Sequence, residues 1–99
     1  MSKTSKLQHY HLVAGTAAFV SENGDIEHTN INTTLAGDER YVTAKQVGLA
    51  QQGIQMRLFE RTGGPVDVRD VFIVGISYLG HMTPEKFMHG IEELQQNAA

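Results

Sequence analysis

Five histidines, His9, His11, His28, His81 and His89, are the residues best able to do chemistry in this chain. A neutral imidazole ligates metals and exchanges a proton near neutral pH. His9 and His11 are two residues apart, so on a strand they share one face, as two zinc ligands would. A third ligand has to come from elsewhere. If Asn23-Gly24 closes a two-residue hairpin, Glu22 faces Asp25, Leu12 faces Leu35, Thr16 faces Ile31 and Phe19 faces His28. His28 then shares the face of His9 and His11 but lies about eight residue pairs from His11, roughly 26 Å at ~3.3 Å per residue. His81 falls in the loop before a second helix and His89 on that helix, neither within a ligand motif. The spacing therefore assigns no metal ligand and no catalytic histidine.

Other reactive groupings fail on equally physical grounds. Gly75-Ile76-Ser77-Tyr78-Leu79-Gly80 approaches a nucleophile elbow, but its second glycine comes one residue too late for G-x-S-x-G. Gly63-Gly64 is followed by Pro65, which has no amide to offer a phosphate. Cysteine is absent, which excludes disulfides and thiolate-held metals. No cofactor signature remains. The eight Lys and Arg residues are scattered and the net charge is −3, so the basic stripe that nucleic acid requires is missing. Asp38-Glu39 and Glu92-Glu93 read as solvated charge. Glu22, Asp25 and Glu27 gather around one turn and are the candidate contacts for a protein partner, because complementary charge speeds association and sets specificity.

The elements that would position these residues follow from periodicity. Residues 9–21 and 26–35 read as paired strands around Asn23-Gly24. Thr43 and Gln46 form a capping box that opens a helix over 44–61, with Val47, Ala50, Ile54 and Leu58 as its apolar stripe. Gly48 and Gly53 each cost that helix about 1 kcal/mol relative to Ala, which close packing on a sheet would explain. Gly63, Gly64 and Pro65 end it. A run apolar at odd and even positions, Val71 to Leu79, is a third strand covered on both faces. Thr83, Pro84 and Glu85 then open a second helix with the stripe Phe87, Ile91 and Leu94. The order is ββαβα. The predicted fold is an α+β domain over 9–96 behind a flexible tail at 1–8, with a three-stranded, mainly antiparallel sheet in the order 2-1-3 and helices packed on it.

Alternation along the strands makes a further expectation. If Phe72, Val74, Ile76 and Tyr78 pack under the first helix, then Val71, Ile73 and Leu79 join Val13, Phe19 and Ile26 on the opposite face. That face is too apolar to stand in water, and the third strand has a free edge. Val71, Ile73, Leu79, Val13 and Phe19 are therefore the candidate contacts of a homodimer.

At Ala44-Lys45-Gln46-Val47-Gly48-Leu49-Ala50-Gln51-Gln52 and again over Val71 to Phe87 the chain resembles short uncharacterised proteins of phages and prophages. It is similar to phage anti-defence proteins, anti-CRISPR inhibitors among them, in being short, acidic and single-domain. The resemblance implies a non-enzymatic protein-binding module that inhibits or modulates a host macromolecular complex. It supplies no functional residue. The alternatives are a His-dependent metal-binding protein or enzyme and a nucleic-acid-binding regulator. The first residues carry two lysines, but the apolar stretch behind them is broken by Gln8, His9 and His11, so no signal peptide or membrane span is expected and the cytoplasm is the expected compartment.

Overall fold

The computed structural model describes residues 6–89 and Ile91. In chain order the elements are β1 (Gln8–Val20), β2 (Ile26–Gly37), α1 (Ala44–Thr62), β3 (Asp67–Met82) and α2 (Pro84–Phe87). They form an α+β fold whose sheet has the order β2-β1-β3 and is antiparallel throughout, as the sequence predicts. Leu94 and Glu92-Glu93 lie outside the described residues. None of the described helices is long and apolar enough to cross a membrane.

The hairpin turn differs from the predicted one by a single residue. Gly24 takes φ 88°, its N–H donates to the Ser21 carbonyl at 2.9 Å, and the Ser21 N–H donates to the Asp25 carbonyl at 2.8 Å. This is a three-residue loop, a tight turn followed by a left-handed glycine. The first strand pair is consequently Val20 with Ile26, and Leu12 faces Thr34, Thr16 faces Asn30 and Phe19 faces Glu27. A slip of one residue exchanges the faces of a whole strand. Ile31 and Leu35 move to the side of Val13, whereas His28 moves opposite Ala18, away from His9 and His11.

The side of the sheet that α1 covers is set by headroom. β1 presents Val13, Gly15 and Ala17 to it, and a Cβ added at Gly15 would land on Ile54 Cδ1 and 2.9 Å from the Phe72 carbonyl. Only a strand stripped to glycine and alanine there admits the helix so closely. Ala50, Ile54 and Leu58, spaced by four, bury into this floor with Val13, Ala17, Phe19 and Ile31. Full burial of a side chain such as Ile54 or Leu58 contributes about 1.5–3 kcal/mol. A Cβ at Gly53 would press on Thr33 Oγ1 at 3.2 Å, so close packing explains this glycine, whereas Gly48 faces open space. The Thr43–Gln46 capping box forms as predicted, and Gly63, at φ 88°, caps the other end of the helix.

β3 breaks the simple alternation. Its register with β1 shifts at three places, which leaves Arg69, Val74 and Leu79 as extra residues. Val71 and Ile73 consequently pair with Ala17 and Gly15 on the α1 side and pack against the core, reversing the expected face assignment. Val13 and Phe19 are core residues as well, so four of the five proposed dimer contacts lie under α1 within one chain. Within the described residues α2 is a single turn, and Ile91 beyond it is again helical. Thr83 Oγ1 accepts the Lys86 N–H at 3.2 Å, and the Phe87 ring stacks on Tyr10 at 4.2 Å on the other face of the sheet.

Candidate functional site

Three places gather residues that could act. The first is the end of the sheet where β1 begins and β3 ends. β3 continues through His81, which pairs with His9 in place of sitting in a loop, and the two imidazoles stack at 4.1 Å with planes 7° apart. Tyr78 Oη lies 2.8 Å from His9 Nδ1, its ring meets His11 edge-on at 5.2 Å, and the Arg40 guanidinium carbon sits 4.5 Å above its centroid. In the Nε2-protonated tautomer, the Tyr78 hydroxyl donates to His9 Nδ1. Desolvation holds the His9 pKa below its ordinary 6.5, and His81, Arg40 and His11 add repulsion that Glu39 partly offsets. Like charges around a half-buried imidazole disfavour its cationic form. The cluster is thus built to keep His9 neutral, with parallel rings that do not converge on a point. Among the described residues no group of three or more His, Cys, Asp or Glu side chains is placed to hold a metal ion.

His81 and Tyr78 were missed as partners of His9, yet two sequence signals pointed to His81. The Thr83 helix start leaves Gly80-His81-Met82 free to extend the strand, and the order 2-1-3 then lays that extension beside His9.

The second place is the hairpin tip. Glu22, Asp25 and Glu27 are all exposed there. Glu22 and Glu27 line a cleft of about 400 Å³ with Phe19, Ser21, Asn23, Thr62 and Val66, whereas Asp25 enters the turn through its backbone carbonyl. The Ser21 hydroxyl on the cleft wall is buried without a hydrogen-bond partner.

The third place is the outer edge of β3. A sheet ordered β2-β1-β3 has two edges, and they differ in chemistry. β2 is rich in Asn and Thr, and Arg61 from α1 bonds the Asn30 carbonyl at 3.0 Å and Thr29 Oγ1 at 2.9 Å. β3 contains no Asp, Glu, Lys, Arg or Pro from Val71 to Met82. Five of its large apolar residues stay open to solvent: Phe72 (48 %), Val74 (69 %), Ile76 (38 %), Tyr78 (37 %) and Leu79 (42 %). Leu79 is the one residue predicted for a dimer contact that remains available. At one end the edge is closed, because the Val71 N–H donates to Asp70 Oδ1 at 2.9 Å and its carbonyl accepts from Gln51 Nε2 at 3.4 Å. Beyond Val71 no side chain caps the edge among the described residues.

No known protein family, curated protein or solved structure matches this chain.

Proposed function

We propose that this chain is a small, non-enzymatic protein-binding module that acts as an inhibitor or modulator of a larger protein assembly and associates with itself as a homodimer. The observation that carries the reading is the uncharged edge of β3 with its five exposed apolar side chains. An edge of this kind recruits another strand, since its amides and carbonyls are half of a ladder and its side chains gain by leaving water. Monomeric proteins usually protect such edges with Lys, Pro or a covering element. Among the described residues the protection is limited to the cap at Val71 and the irregularities at Val74 and Leu79. The hairpin tip supports a second contact, with the larger partner, where Glu22 and Glu27 line a cleft together with Phe19 and Val66. A cationic side chain with an apolar stem suits that combination.

The reading is tested by light scattering on the wild type and on Val74→Lys, with circular dichroism to confirm that both fold. A wild-type dimer at micromolar concentration, reduced to monomer by the lysine, is the expected result. A monomeric wild type whose affinity capture recovers no partner would sink the reading.

A further inference from the structure

We propose that Asn23 is a site of spontaneous covalent modification, in which the Gly24 amide nitrogen displaces ammonia from the Asn23 side chain whenever the hairpin turn opens, and the tip gains a carboxylate. Asparagine is among the thermolabile residue types. What it needs is a following amide nitrogen that can reach its Cγ, and Gly24 has no Cβ to obstruct that approach. The other asparagines of the chain are worse placed. Asn30 and Asn32 lie within β2 and are followed by the β-branched Ile31 and Thr33, and Asn97 is followed by Ala98.

Water is the only co-reactant. The Gly24 nitrogen gives its proton to hydroxide and bonds to Asn23 Cγ, the Cγ–Nδ2 bond breaks, and Nδ2 leaves as ammonia after taking a proton from water. The five-membered imide then adds one water. Opening its bond to Cγ leaves an ordinary aspartyl residue, whereas opening its bond to the main-chain carbonyl leaves an isoaspartyl residue, with the chain rerouted through Cβ and Cγ. Either product adds one negative charge to a chain whose formal net charge is −3. Asn23 lines the cleft with Glu22 and Glu27, so the charge arrives where the tip is already acidic.

The closed turn holds this reaction back in two ways. The Gly24 N–H is committed to the Ser21 carbonyl at 2.9 Å, and a turn closed by such a bond sets ψ of its third residue, Asn23, at about 0°. At that angle the Gly24 nitrogen eclipses the Asn23 nitrogen and lies away from the side chain. Cyclisation therefore waits for the turn to open. The opening is local, because Asn23 and Gly24 are exposed and a Cβ at Gly24 would meet nothing within 4 Å. It breaks this bond and the one from the Ser21 N–H to the Asp25 carbonyl at 2.8 Å. Two backbone hydrogen bonds of ordinary net strength slow a reaction of the open form by roughly 5- to 150-fold.

The test incubates the full chain at mildly alkaline pH, in buffer and in unfolding guanidinium chloride. Each asparagine is followed by peptide mapping with mass spectrometry, and isoaspartyl residues are counted with a methyltransferase specific for them. The expected result is that Asn23 converts first of the four in both solvents, to a mixture of aspartyl and isoaspartyl forms, and about 5- to 150-fold more slowly in buffer. Asn23→Ser, shown to fold by circular dichroism, should lose the acidic species that the wild type accumulates on ion exchange. Equal rates in the two solvents would overturn control by the turn. Conversion of Asn30, Asn32 or Asn97 ahead of Asn23 in buffer would overturn the site, as would conversion of Asn23 in guanidinium chloride alone.

Discussion

His9 shows how a residue type that invites a metal is put to another use. Its ring stacks on His81, takes the Tyr78 hydroxyl and sits near Arg40, so a proton there is resisted by burial first and by electrostatic repulsion from its neighbours next. An unfolded chain binds that proton at about pH 6.5, whereas the folded chain binds it only at lower pH. The unfolded state therefore holds more protons in between, and stability must fall as the pH drops from about 6.5 through the depressed folded value. Thermal unfolding followed at pH 7.5 and at pH 5.5 should show this loss. His9→Gln should diminish it, because the replacement has no proton to take up. An equal loss in the variant would assign the acid sensitivity to other groups.

At the scale of elements, the contact of α1 with β1 decides which face of the sheet becomes the core. Gly15→Ala places a methyl group on Ile54 Cδ1 and should cost about 1–3 kcal/mol by overpacking. Ile54→Val deletes that Cδ1 and should itself cost ~0.5–1.5 kcal/mol. In the double variant the alanine should cost less than in the wild-type background, and a double-mutant cycle by urea denaturation reads the difference. Equal cost in both backgrounds would point to the Phe72 carbonyl as the limiting neighbour.

Element type and order were legible in the sequence because they depend on local chemistry. Thr43 with Gln46, Gly63 ahead of Pro65, and Thr83 ahead of Pro84 each mark a boundary through hydrogen bonds made within a few residues. The strand order followed from the chain's need to return over one face. Which side chain points where was not legible, because it turned on single-residue events. The sequence Asn23-Gly24 fits a two-residue loop as well as the three-residue loop that formed, and the extra residue at Val74 is signalled by nothing but the neighbouring Gly75, which does not fix where the register shifts. The place of Tyr78 beside His9 and His11 was hidden for the same reason, since it depends on the irregularity at Leu79, whereas the extension of β3 to His81 was signalled by the Thr83 helix start. Glu22 and Glu27 were legible as neighbours because a tight turn leaves them few other positions.

For the molecule as a whole, the charges at the hairpin tip and the apolar strip on β3 should separate in their effects. The turn is held by backbone hydrogen bonds between Ser21, Gly24 and Asp25, which need no carboxylate. Exposed charges contribute ~0–1 kcal/mol each to folding. Reversing Glu22, Asp25 and Glu27 to lysine together should therefore leave the thermal midpoint and the self-association constant nearly unchanged, while weakening capture of an acid-seeking partner. A large drop in the midpoint, measured by calorimetry, would show that the tip has a structural role in place of a recognition one. The central position of β1 also governs the order of assembly. β1 and β2 close over a three-residue turn, but the outermost pair on the other side, Gln8 with Met82, joins points near opposite ends of the chain. Hairpins form in microseconds, whereas distant pairings push folding toward milliseconds and beyond. A nascent chain must wait on the ribosome with one flank of its central strand open until β3 has emerged, and that interval is when it is most exposed to mispairing and to proteolysis.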